Sequence, residues 1–361
     1  MKKRIFFTVT NDLTFDQRMH KICTSLSNAG YEVKLVGRKR KSSVPLKPRA
    51  FLQERLYVFF DKGKLFYLEY NIRLFFYLLF QKADIFCAID LDTILPNLFA
   101  GKLRGKKLVY DAHEYFTEVP EVIHRPQIQK VWKQVEKFSV PKMDLCYTVS
   151  QSLAELFQAE YKKTFYLIRN CPTLSELPAS SLKEAPFILY QGALNKGRGL
   201  EELIKSMQML PLKLKIAGEG DLSQELRTMA ENMHLTDKVE FLGYVYPDDL
   251  KQLTPKAFLG YNLLENLGKS YYYSLSNKFF DYIHALVPSL SNDFPEYTFI
   301  NSQYEVAVLA EPKAEEIAEK VNYLLENENA YMQLQKNALA AREVYNWQHE
   351  EKELIRLYEA L

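Results

Sequence analysis

Residues 187–207 read FILYQGALNKGRGLEELIKSM, and we predict the fold of the chain from this segment. The apolar run Phe187–Tyr190 suits a buried strand, and Leu200 opens a helical pattern. Between them, GALNKGRG combines glycines, which let the backbone approach a ligand closely, with the basic side chains of Lys196 and Arg198. A strand, a glycine-rich turn and a helix form the unit of a parallel α/β sheet. The turn is either a grip for a diphosphate or an ordinary loop with solvated basic residues.

The same alternation extends in both directions along the 361 residues. Before this stretch, we predict strands at Ile5–Val9, Glu32–Val36, Ile85–Ile89, Lys107–Tyr110, Leu145–Val149 and Phe165–Ile168, and helices at Phe15–Asn28, Leu65–Phe80, Asp92–Leu103 and Ser150–Tyr161. After it, we predict strands at Leu214–Ala217, Val239–Leu242, Phe258–Tyr261, Ser289–Ser291 and Val306–Leu309, and helices at Leu222–Met233, Lys278–Ala285, Ala314–Leu325 and Trp347–Leu361. The expected fold is α/β, with two Rossmann-like β/α/β domains facing across a cleft.

Proline and serine mark the expected boundary between these domains. The segment 171–186 is rich in both and has no sustained apolar period, so we predict a linker there. An N-terminal domain over residues 1–170 then precedes a C-terminal domain over 187–345. The remaining residues, 346–361, form an amphipathic closing helix, which we expect to return to the N-terminal domain.

Composition excludes several classes of protein. With 47% hydrophobic and 25% charged residues, the chain matches packed globular proteins. A formal net charge of +2 gives no overall field for nucleic acid, so no nucleic-acid partner is predicted. The four cysteines and six histidines show no metal-ligand spacing, so no metal is predicted. The apolar run Leu65–Phe80 is interrupted by charged residues, and we interpret it as a helix packed on a sheet, with a membrane-touching face as the alternative.

A second candidate site is YYYSLSNKFFDYIHALVP, residues 271–288. Ser276 and Asn277 are suitable N-caps for a helix that carries Lys278 and Asp281 one turn apart. The lysine suits a phosphate, and the carboxylate suits a pair of hydroxyls. The alternative is an exposed ion pair within the helix, which would contribute only about 0.2 to 0.5 kcal/mol.

A third candidate site is YDAHEYFTE, residues 110–118, directly after a predicted strand. Asp111, His113 and Glu114 gather three titratable groups at a strand end, where proton transfer or hydroxyl binding is common in parallel sheets. A structural histidine is the alternative.

Taken in order, these segments resemble the GT-B fold glycosyltransferases, in particular the retaining enzymes of family 4, the bacterial glycosyltransferases of group 1. The motifs that carry the resemblance are NDLTFDQRMHKICTSLSNAGYEV, LVYDAHEYFTE, YTVSQSLAELF, YQGALNKGRGLEELI, KIAGEGDL, VEFLGYV and SNKFFDYIHALVP, with Asn346-Trp347 before the last helix. They run nearly from end to end of the chain.

The resemblance implies a role for each matched residue. The second domain would hold a nucleotide-diphosphate sugar, and the first would bind the acceptor. Gly192 matches the family's glycine at which the backbone approaches the donor closely. Arg198 matches the basic residue that contacts the donor diphosphate, and Asp281 matches the acidic residue that binds the ribose hydroxyls. The full implied set is His113, Arg198 and Glu265 for catalysis; Gly192, Lys196, Arg198, Tyr244, Ser276, Asn277, Lys278 and Asp281 for the donor; and Asp16, Arg18, Asp111 and Glu114 on the acceptor side.

Two positions depart from the family pattern. The family often has two glutamates with seven residues between them, whereas here the second is Asp281 and Tyr273, eight positions earlier, lies where the first would be. Glu265 replaces it only if the loop between them is longer than usual. Ala193 also occupies a place where the family commonly has arginine.

The resulting functional prediction is a glycosyltransferase of the hexosyltransferase kind that moves a sugar from a UDP- or GDP-sugar to a hydroxyl, with retention of configuration and without metal or cofactor. The expected acceptor is a sugar, glycolipid or polysaccharide in bacterial cell-surface synthesis. Two alternatives stay open: a sugar-nucleotide epimerase on the same scaffold, and a degenerate subunit that binds without turnover.

The expected location is the cytoplasm, with a peripheral position at the inner membrane face as a further candidate. The basic run Arg38–Lys41, with Lys47 and Arg49, suits an anionic membrane surface, and a solvated loop is its alternative.

Overall fold

The computed structural model of the protein describes residues 2–177 and 185–361, so residues 178–184 of the predicted linker lie outside the described chain. The described chain divides into two compact units. The first runs up to Asn170 and includes Glu350–Leu361, and the second runs from Cys171 to His349.

The first unit is built on a parallel seven-stranded sheet with the order β3-β2-β1-β4-β5-β6-β7. Its elements are β1 Arg4–Thr8, α1 Gln17–Asn28, β2 Glu32–Lys39, β3 Leu52–Tyr57, α2 Gly63–Phe80, β4 Ile85–Ile89, α3 Ile94–Arg104, β5 Lys107–Ala112, α4 Pro120–Ile123, α5 Pro126–Ser139, β6 Leu145–Thr148, α6 Gln151–Tyr161 and β7 Phe165–Leu167. The strand order reverses between β1 and β4, and such a switch point is where open parallel sheets bind ligands.

The second unit contains a parallel six-stranded sheet with the order β10-β9-β8-β11-β12-β13. Its elements are β8 Phe187–Gln191, α7 Leu200–Ser206, β9 Lys213–Ala217, α8 Ser223–Asn232, β10 Val239–Gly243, α9 Pro247–Leu253, β11 Leu259–Asn262, α10 Lys269–Tyr272, α11 Asn277–His284, β12 Ser289–Ser291, α12 Pro295–Tyr304, β13 Ala307–Leu309, α13 Ala314–Glu326 and α14 Glu328–Val344, followed by α15 Trp347–Glu359. Its switch point lies between β8 and β11.

Burial explains why the strands could be recognised from the sequence. Every residue of β4 and β8 is buried, as expected for central strands covered on both faces. On α11, the apolar residues Phe279, Phe280 and Ile283 are buried and hold this helix against its own unit. The predicted fold class of two Rossmann-like domains is confirmed.

The last helix, α15, packs on the first unit from Glu350 onward. Tyr358 is fully buried there, with its hydroxyl 3.2 Å from that of Tyr147. Ser25 on α1 donates a hydrogen bond of 2.7 Å to Glu351. These contacts return the end of the chain to the first sheet, as predicted.

The structure also contains elements that the sequence patterns did not predict, among them β3, α5, α12 and α14. Strand β3 reads LQERLY and pairs only with β2, at the edge of the sheet. Half-buried strands are recognised by apolar residues at alternate positions. An edge strand with a polar centre lacks this pattern, so its sequence resembles that of a loop.

Helix α2 confirms the helix predicted at Leu65–Phe80 and has two different apolar faces. Phe66, Tyr70, Leu74 and Leu78 are buried against the unit. An exposed stripe lies on another side of the same helix and consists of Leu65, Leu68, Ile72, Phe76 and Phe80. Among the described helices, none is long and apolar enough to cross a membrane.

Candidate functional site

The glycine-rich turn after β8 packs closely against the turn after β9, and glycines make this close contact possible. Gly192 has a φ of 137°, a conformation that glycine adopts easily. A Cβ built on Gly218 would lie 1.8 Å from the Gly192 carbonyl oxygen. A side chain at Gly218 would therefore push the two turns apart. The motifs GALNKGRG and GEG form one backbone platform at the carboxyl ends of β8 and β9.

Arg198 and Lys278 form an unusual pair of cations beside this platform. Lys278 is only 7% exposed, and its Nζ lies 4.5 Å from the centre of the Tyr190 ring. Neither Lys278 Nζ nor Arg198 Nε has a hydrogen-bond partner among the described residues. Burial, and then the charge of Arg198, lowers the pKa of Lys278 well below its usual value. The predicted alternative of an exposed ion pair between Lys278 and Asp281 is wrong, because Lys278 is buried and unpaired within the described chain.

The first turn of α11 adds backbone groups to this position. Ser276 is the N-cap residue, but its side chain makes no capping hydrogen bond, contrary to the expectation of a side-chain cap. Its own amide donates to the hydroxyl of Tyr297 at 3.1 Å. The N-terminus of α11, with Asn277 and Lys278 as its first residues, thus carries the positive end of the helix dipole.

Asp281 is fixed one turn further along α11. Gln191, at the end of β8, donates from Nε2 to a carboxylate oxygen of Asp281 at 3.0 Å. The same glutamine accepts a hydrogen bond of 2.8 Å from Thr254. Gln191 therefore orients Asp281, and the sequence analysis did not single out this glutamine. Gln191 could have been predicted as a site residue from the sequence, because it lies directly between the predicted strand and the glycine-rich turn.

Glu265 lies next to the glycine-rich turn, although it is far from Arg198 in sequence. Its amide donates to the Gly197 carbonyl at 2.9 Å. It follows β11, the strand next to β8 at the switch point. Burial raises the pKa of the half-buried Glu265 carboxyl, and nearby Glu201 raises it further. The short helix α10 lies between Glu265 and α11, so part of the long segment between Glu265 and Asp281 is helical.

The structure thus brings together Gly192, Arg198, Glu265, Lys278 and Asp281 at the carboxyl ends of β8 and β11. The backbone carbonyl of the exposed Lys196 accepts a hydrogen bond of 3.3 Å from Tyr271. Tyr244 lies elsewhere, after β10 and two strands from β8, where it packs edge to face on Tyr246 at 5.3 Å. Both tyrosines are more than half exposed.

In the first unit, His113 lies between two carboxylates at the strand ends. Its Nε2 is 3.0 Å from Asp111, and its Nδ1 is 3.5 Å from Asp90. Burial alone would lower the pKa of His113, but Asp111 and then Asp90 raise it to about 9. The imidazole is therefore positively charged at neutral pH.

Asp111 and Arg18 form a buried pair behind the histidine. Arg18 is 4% exposed and donates to both carboxylate oxygens of Asp111, at 2.9 and 3.3 Å. Asp111 itself is completely buried, so this pair positions His113 rather than presenting a surface of its own. Asp16 caps α1 by accepting from the Met19 amide at 3.0 Å, and Glu114 is exposed.

Two acidic residues that the sequence analysis missed complete this cluster. Asp90 follows β4 directly, has a φ of 55° and accepts a hydrogen bond of 2.8 Å from the His113 amide. Asp92 accepts from Thr10 at 2.6 Å, and burial raises its pKa to about 6. A positive φ at a non-glycine residue is strained and is often found at functional sites. Both aspartates could have been predicted as site residues from the sequence, because the run Asp90-Leu91-Asp92 comes directly after the predicted strand Ile85–Ile89. Among the described residues, no group of three or more His, Cys, Asp or Glu side chains is arranged to hold a metal ion.

Comparison with known proteins agrees with this architecture. The model of glycosyl transferases group 1 matches residues 176–340, and that of glycosyltransferase family 4 matches residues 17–171. An uncharacterized glycosyltransferase of Methanocaldococcus jannaschii is 38% identical over 74 residues, which is 19% of this chain and 19% of that protein. The match therefore covers less than two thirds of this relative.

Two solved structures cover 99% of this chain and 99% of their own. Sucrose-phosphate synthase of Thermosynechococcus elongatus is 17% identical with a TM-score of 0.80, and Anabaena HepE in complex with UDP and glucose is 14% identical with a TM-score of 0.79. At these identities, the likeness shows the fold alone. Together with the two family matches, which divide the chain between them, it leads to one conclusion: the chain belongs to the group 1 glycosyltransferases of the GT-B fold.

Proposed function

We propose that the chain transfers a sugar from a UDP-sugar to an acceptor hydroxyl, and that the second unit holds the diphosphate between Arg198 and Lys278. One observation carries this proposal: the buried Lys278 and the half-buried Arg198 are close enough for their charges to interact, and neither Lys278 Nζ nor Arg198 Nε has a hydrogen-bond partner among the described residues. A buried charge without a partner is costly, and such a site is stable mainly when an anion fills it. A diphosphate supplies the missing charge and acceptor atoms.

The remaining donor contacts follow from the same geometry. Asp281, held by Gln191, is assigned to the ribose hydroxyls, and the platform of Gly192 and Gly218 admits the close approach of a phosphate. HepE was solved with UDP-glucose, which makes a uridine donor the first to test. GDP-sugars remain the second choice. Tyr244 is assigned to the base, since its exposed ring offers a stacking surface.

The proposed reaction retains the configuration at the anomeric carbon. The acceptor oxygen forms a bond to this carbon while the bond to the phosphate oxygen breaks and takes its electron pair with it. The hydroxyl proton passes to the departing diphosphate. Negative charge grows on the leaving group, so Arg198, Lys278 and the amides of α11 stabilise the transition state more than the ground state. We propose that these groups make a metal unnecessary, so an added chelator should leave the rate unchanged.

On the acceptor side, we assign the hydroxyl-binding role to the cluster around His113 in the first unit. The charged imidazole and the carboxyls of Asp90 and Asp92 offer both donors and acceptors for a sugar hydroxyl. Arg18 and Asp111 are assigned to positioning. We propose a bacterial cell-surface glycolipid or polysaccharide as the acceptor, with the protein in the cytoplasm.

The donor site can be tested by calorimetry with UDP on the full chain. Arg198→Ala and Lys278→Met should each weaken UDP binding at least about tenfold, because each removes one charge-assisted contact. Lys336→Ala removes an exposed charge from α14 of the same unit and should leave the affinity unchanged. Lys278→Met should also melt at a higher temperature than the unchanged protein, since it removes an unpaired buried charge. UDP binding unaffected by both Arg198→Ala and Lys278→Met would refute the proposal.

Product analysis with UDP-glucose distinguishes the alternative functions. A transferase releases UDP only when an acceptor, or water in its place, takes the sugar. An epimerase changes the sugar while it stays attached to UDP, and a degenerate subunit binds without changing either. Binding with neither product, in the presence of phosphorylated and unphosphorylated sugar and lipid acceptors, would favour the non-catalytic alternative.

We also propose that α2 attaches the first unit to an anionic membrane surface. Leu68, Ile72 and Phe76 belong to its exposed apolar stripe, and Lys62 and Lys64 lie at its start. An apolar stripe beside basic residues is the pattern of a helix that lies in a membrane interface. Triple serine substitution at Leu68, Ile72 and Phe76 should abolish sedimentation with phosphatidylglycerol vesicles. Sedimentation that is unchanged by this variant, or is equal with phosphatidylcholine vesicles, would reject the attachment.

A further inference from the structure

A cationic cavity lies in the first unit and includes none of the site residues described above. It measures about 610 Å³ and opens where β1 and β2 end and α2 begins. Four cationic side chains line it, against a single carboxylate, that of Asp61: they are Arg38, Arg40, Lys41 and Lys62. Such an excess of positive charge is local, because the whole chain has a net charge of only +2.

Arg38 is built into the wall of this cavity. It is 7% exposed, its guanidinium lies 4.0 Å from the centre of the Phe66 ring, and its Nη1 donates to the Asp61 carbonyl at 2.9 Å. Its Nε has no hydrogen-bond partner among the described residues. A buried arginine with an unused donor is costly, and a phosphate oxygen would supply the missing acceptor.

The start of α2 adds a second source of positive potential. This helix has 18 residues, and its N-cap residue Lys62 makes no side-chain capping hydrogen bond. Lys62 and Gly63 both line the cavity. The positive end of the helix dipole therefore reinforces the charge of the basic side chains.

Thr10 connects the cavity to the cluster around His113. It lines the cavity, and its hydroxyl donates to Asp92 at 2.6 Å. Asp92 follows β4, and Thr10 follows β1, so the two flank the switch point of the first sheet. A molecule that places an anionic group in the cavity can therefore extend its neutral part towards Asp92.

We propose that this cavity binds a phosphate group of the acceptor, so that the acceptor is a phosphorylated molecule. This inference rests on the proposed transferase function and specifies its acceptor. The phosphate belongs either to a lipid or to a soluble sugar phosphate, and both present the same tetrahedral anion to Arg38 and its neighbours.

Equilibrium binding to the full chain tests the inference, with UDP present at saturation to occupy the donor site. Farnesyl phosphate is compared with farnesol in detergent micelles, and glycerol 3-phosphate is compared with glycerol in buffer. The test variant is Arg40→Ala/Lys41→Ala/Lys62→Ala, since these three side chains are exposed and Arg38 itself supports the fold. The control, Lys102→Ala/Lys130→Ala/Lys137→Ala, removes the same charge from exposed positions on α3 and α5.

The expected result is that a phosphorylated probe binds more tightly than its alcohol, and that the test variant weakens this binding about tenfold or more. The control variant should bind as the unchanged protein does. Binding of farnesyl phosphate without glycerol 3-phosphate supports a lipid-borne phosphate, and tighter binding of glycerol 3-phosphate than of farnesyl phosphate supports a soluble one. Comparable binding of both supports the inference and shows that the phosphate group alone is recognised. Equal binding of alcohol and phosphate, or equal binding by test and control variants, overturns the inference.

The two proposals fail separately. UDP that does not bind the unchanged chain refutes the donor site, while phosphate binding in the first unit can still be measured. A Lys278→Met chain should keep its affinity for the phosphorylated probe, because Lys278 belongs to the second unit.

Discussion

The pKa of Lys278 should differ between the free chain and the chain with a bound anion. Without a ligand, burial and the charge of Arg198 lower the pKa of Lys278 well below its usual value, which makes the charged form less favourable than in water. A diphosphate beside it favours the charged form and raises the pKa again. Binding should therefore favour uptake of a proton by this amine, because the charged form is more stable in the complex than in the free chain.

Calorimetry in buffers of different ionisation enthalpy measures this proton. At about pH 8, where a terminal phosphate with a second pKa of about 6 is already fully ionised, UDP brings no proton of its own. We expect net proton uptake in the unchanged protein. The Lys336→Ala control should behave in the same way, and any residual binding by Lys278→Met should occur without uptake. Uptake that persists in Lys278→Met would show that another group is responsible.

His113 illustrates the opposite case, in which partners outweigh burial. Asp111 and Asp90 raise its pKa to about 9, and Arg18 holds Asp111 in place. The sequence allowed His113, Asp111 and Arg18 to be proposed, because each is part of a recognisable motif. Asp90 was not singled out, because the DLD run after the buried strand does not by itself show which side chains these aspartates contact. Its role follows from the pairing of β4 with β5, which places Asp90 beside His113.

At the scale of secondary structure, central strands were predictable and edge elements were not. Strands β4 and β8 are buried along their whole length, so their composition is unmistakable. Strand β3 is polar at its centre, and it forms by pairing its backbone with the edge of β2. Pairing of this kind depends on tertiary structure, so it does not appear in a local pattern.

The loop between β11 and α11 shows the same limit. From the sequence, Glu265 and Asp281 are too far apart for the spacing usual in the family. The short helix α10 takes up part of the additional length, and the Glu265 amide binds the Gly197 carbonyl. The structure therefore places Glu265 beside the glycine-rich turn of the proposed donor site, although its spacing from Asp281 in the sequence is unusual for the family.

At the scale of the whole molecule, each unit holds its own group of buried or clustered cations, while the total charge is nearly balanced. The cations of the second unit lie next to the switch point between β8 and β11, whereas those of the first unit lie where β2 ends and α2 begins, on the side of β1 away from β4. The two anion sites should therefore respond to different ligands. UDP should act on the second unit, and a phosphorylated acceptor should act on the first.

Hydrogen exchange on the intact chain, followed by mass spectrometry of its peptides, tests this division. UDP should slow exchange in peptides covering 192–199 and 276–284, because a ligand that binds the folded state suppresses local opening. Farnesyl phosphate should slow exchange in peptides covering 38–41 and 61–67. At a UDP concentration close to the dissociation constant of the unchanged chain, the Lys278→Met chain should show much less of the first effect while keeping the second. If UDP left residues 192–199 and 276–284 unprotected at saturation, the donor site would have to lie elsewhere.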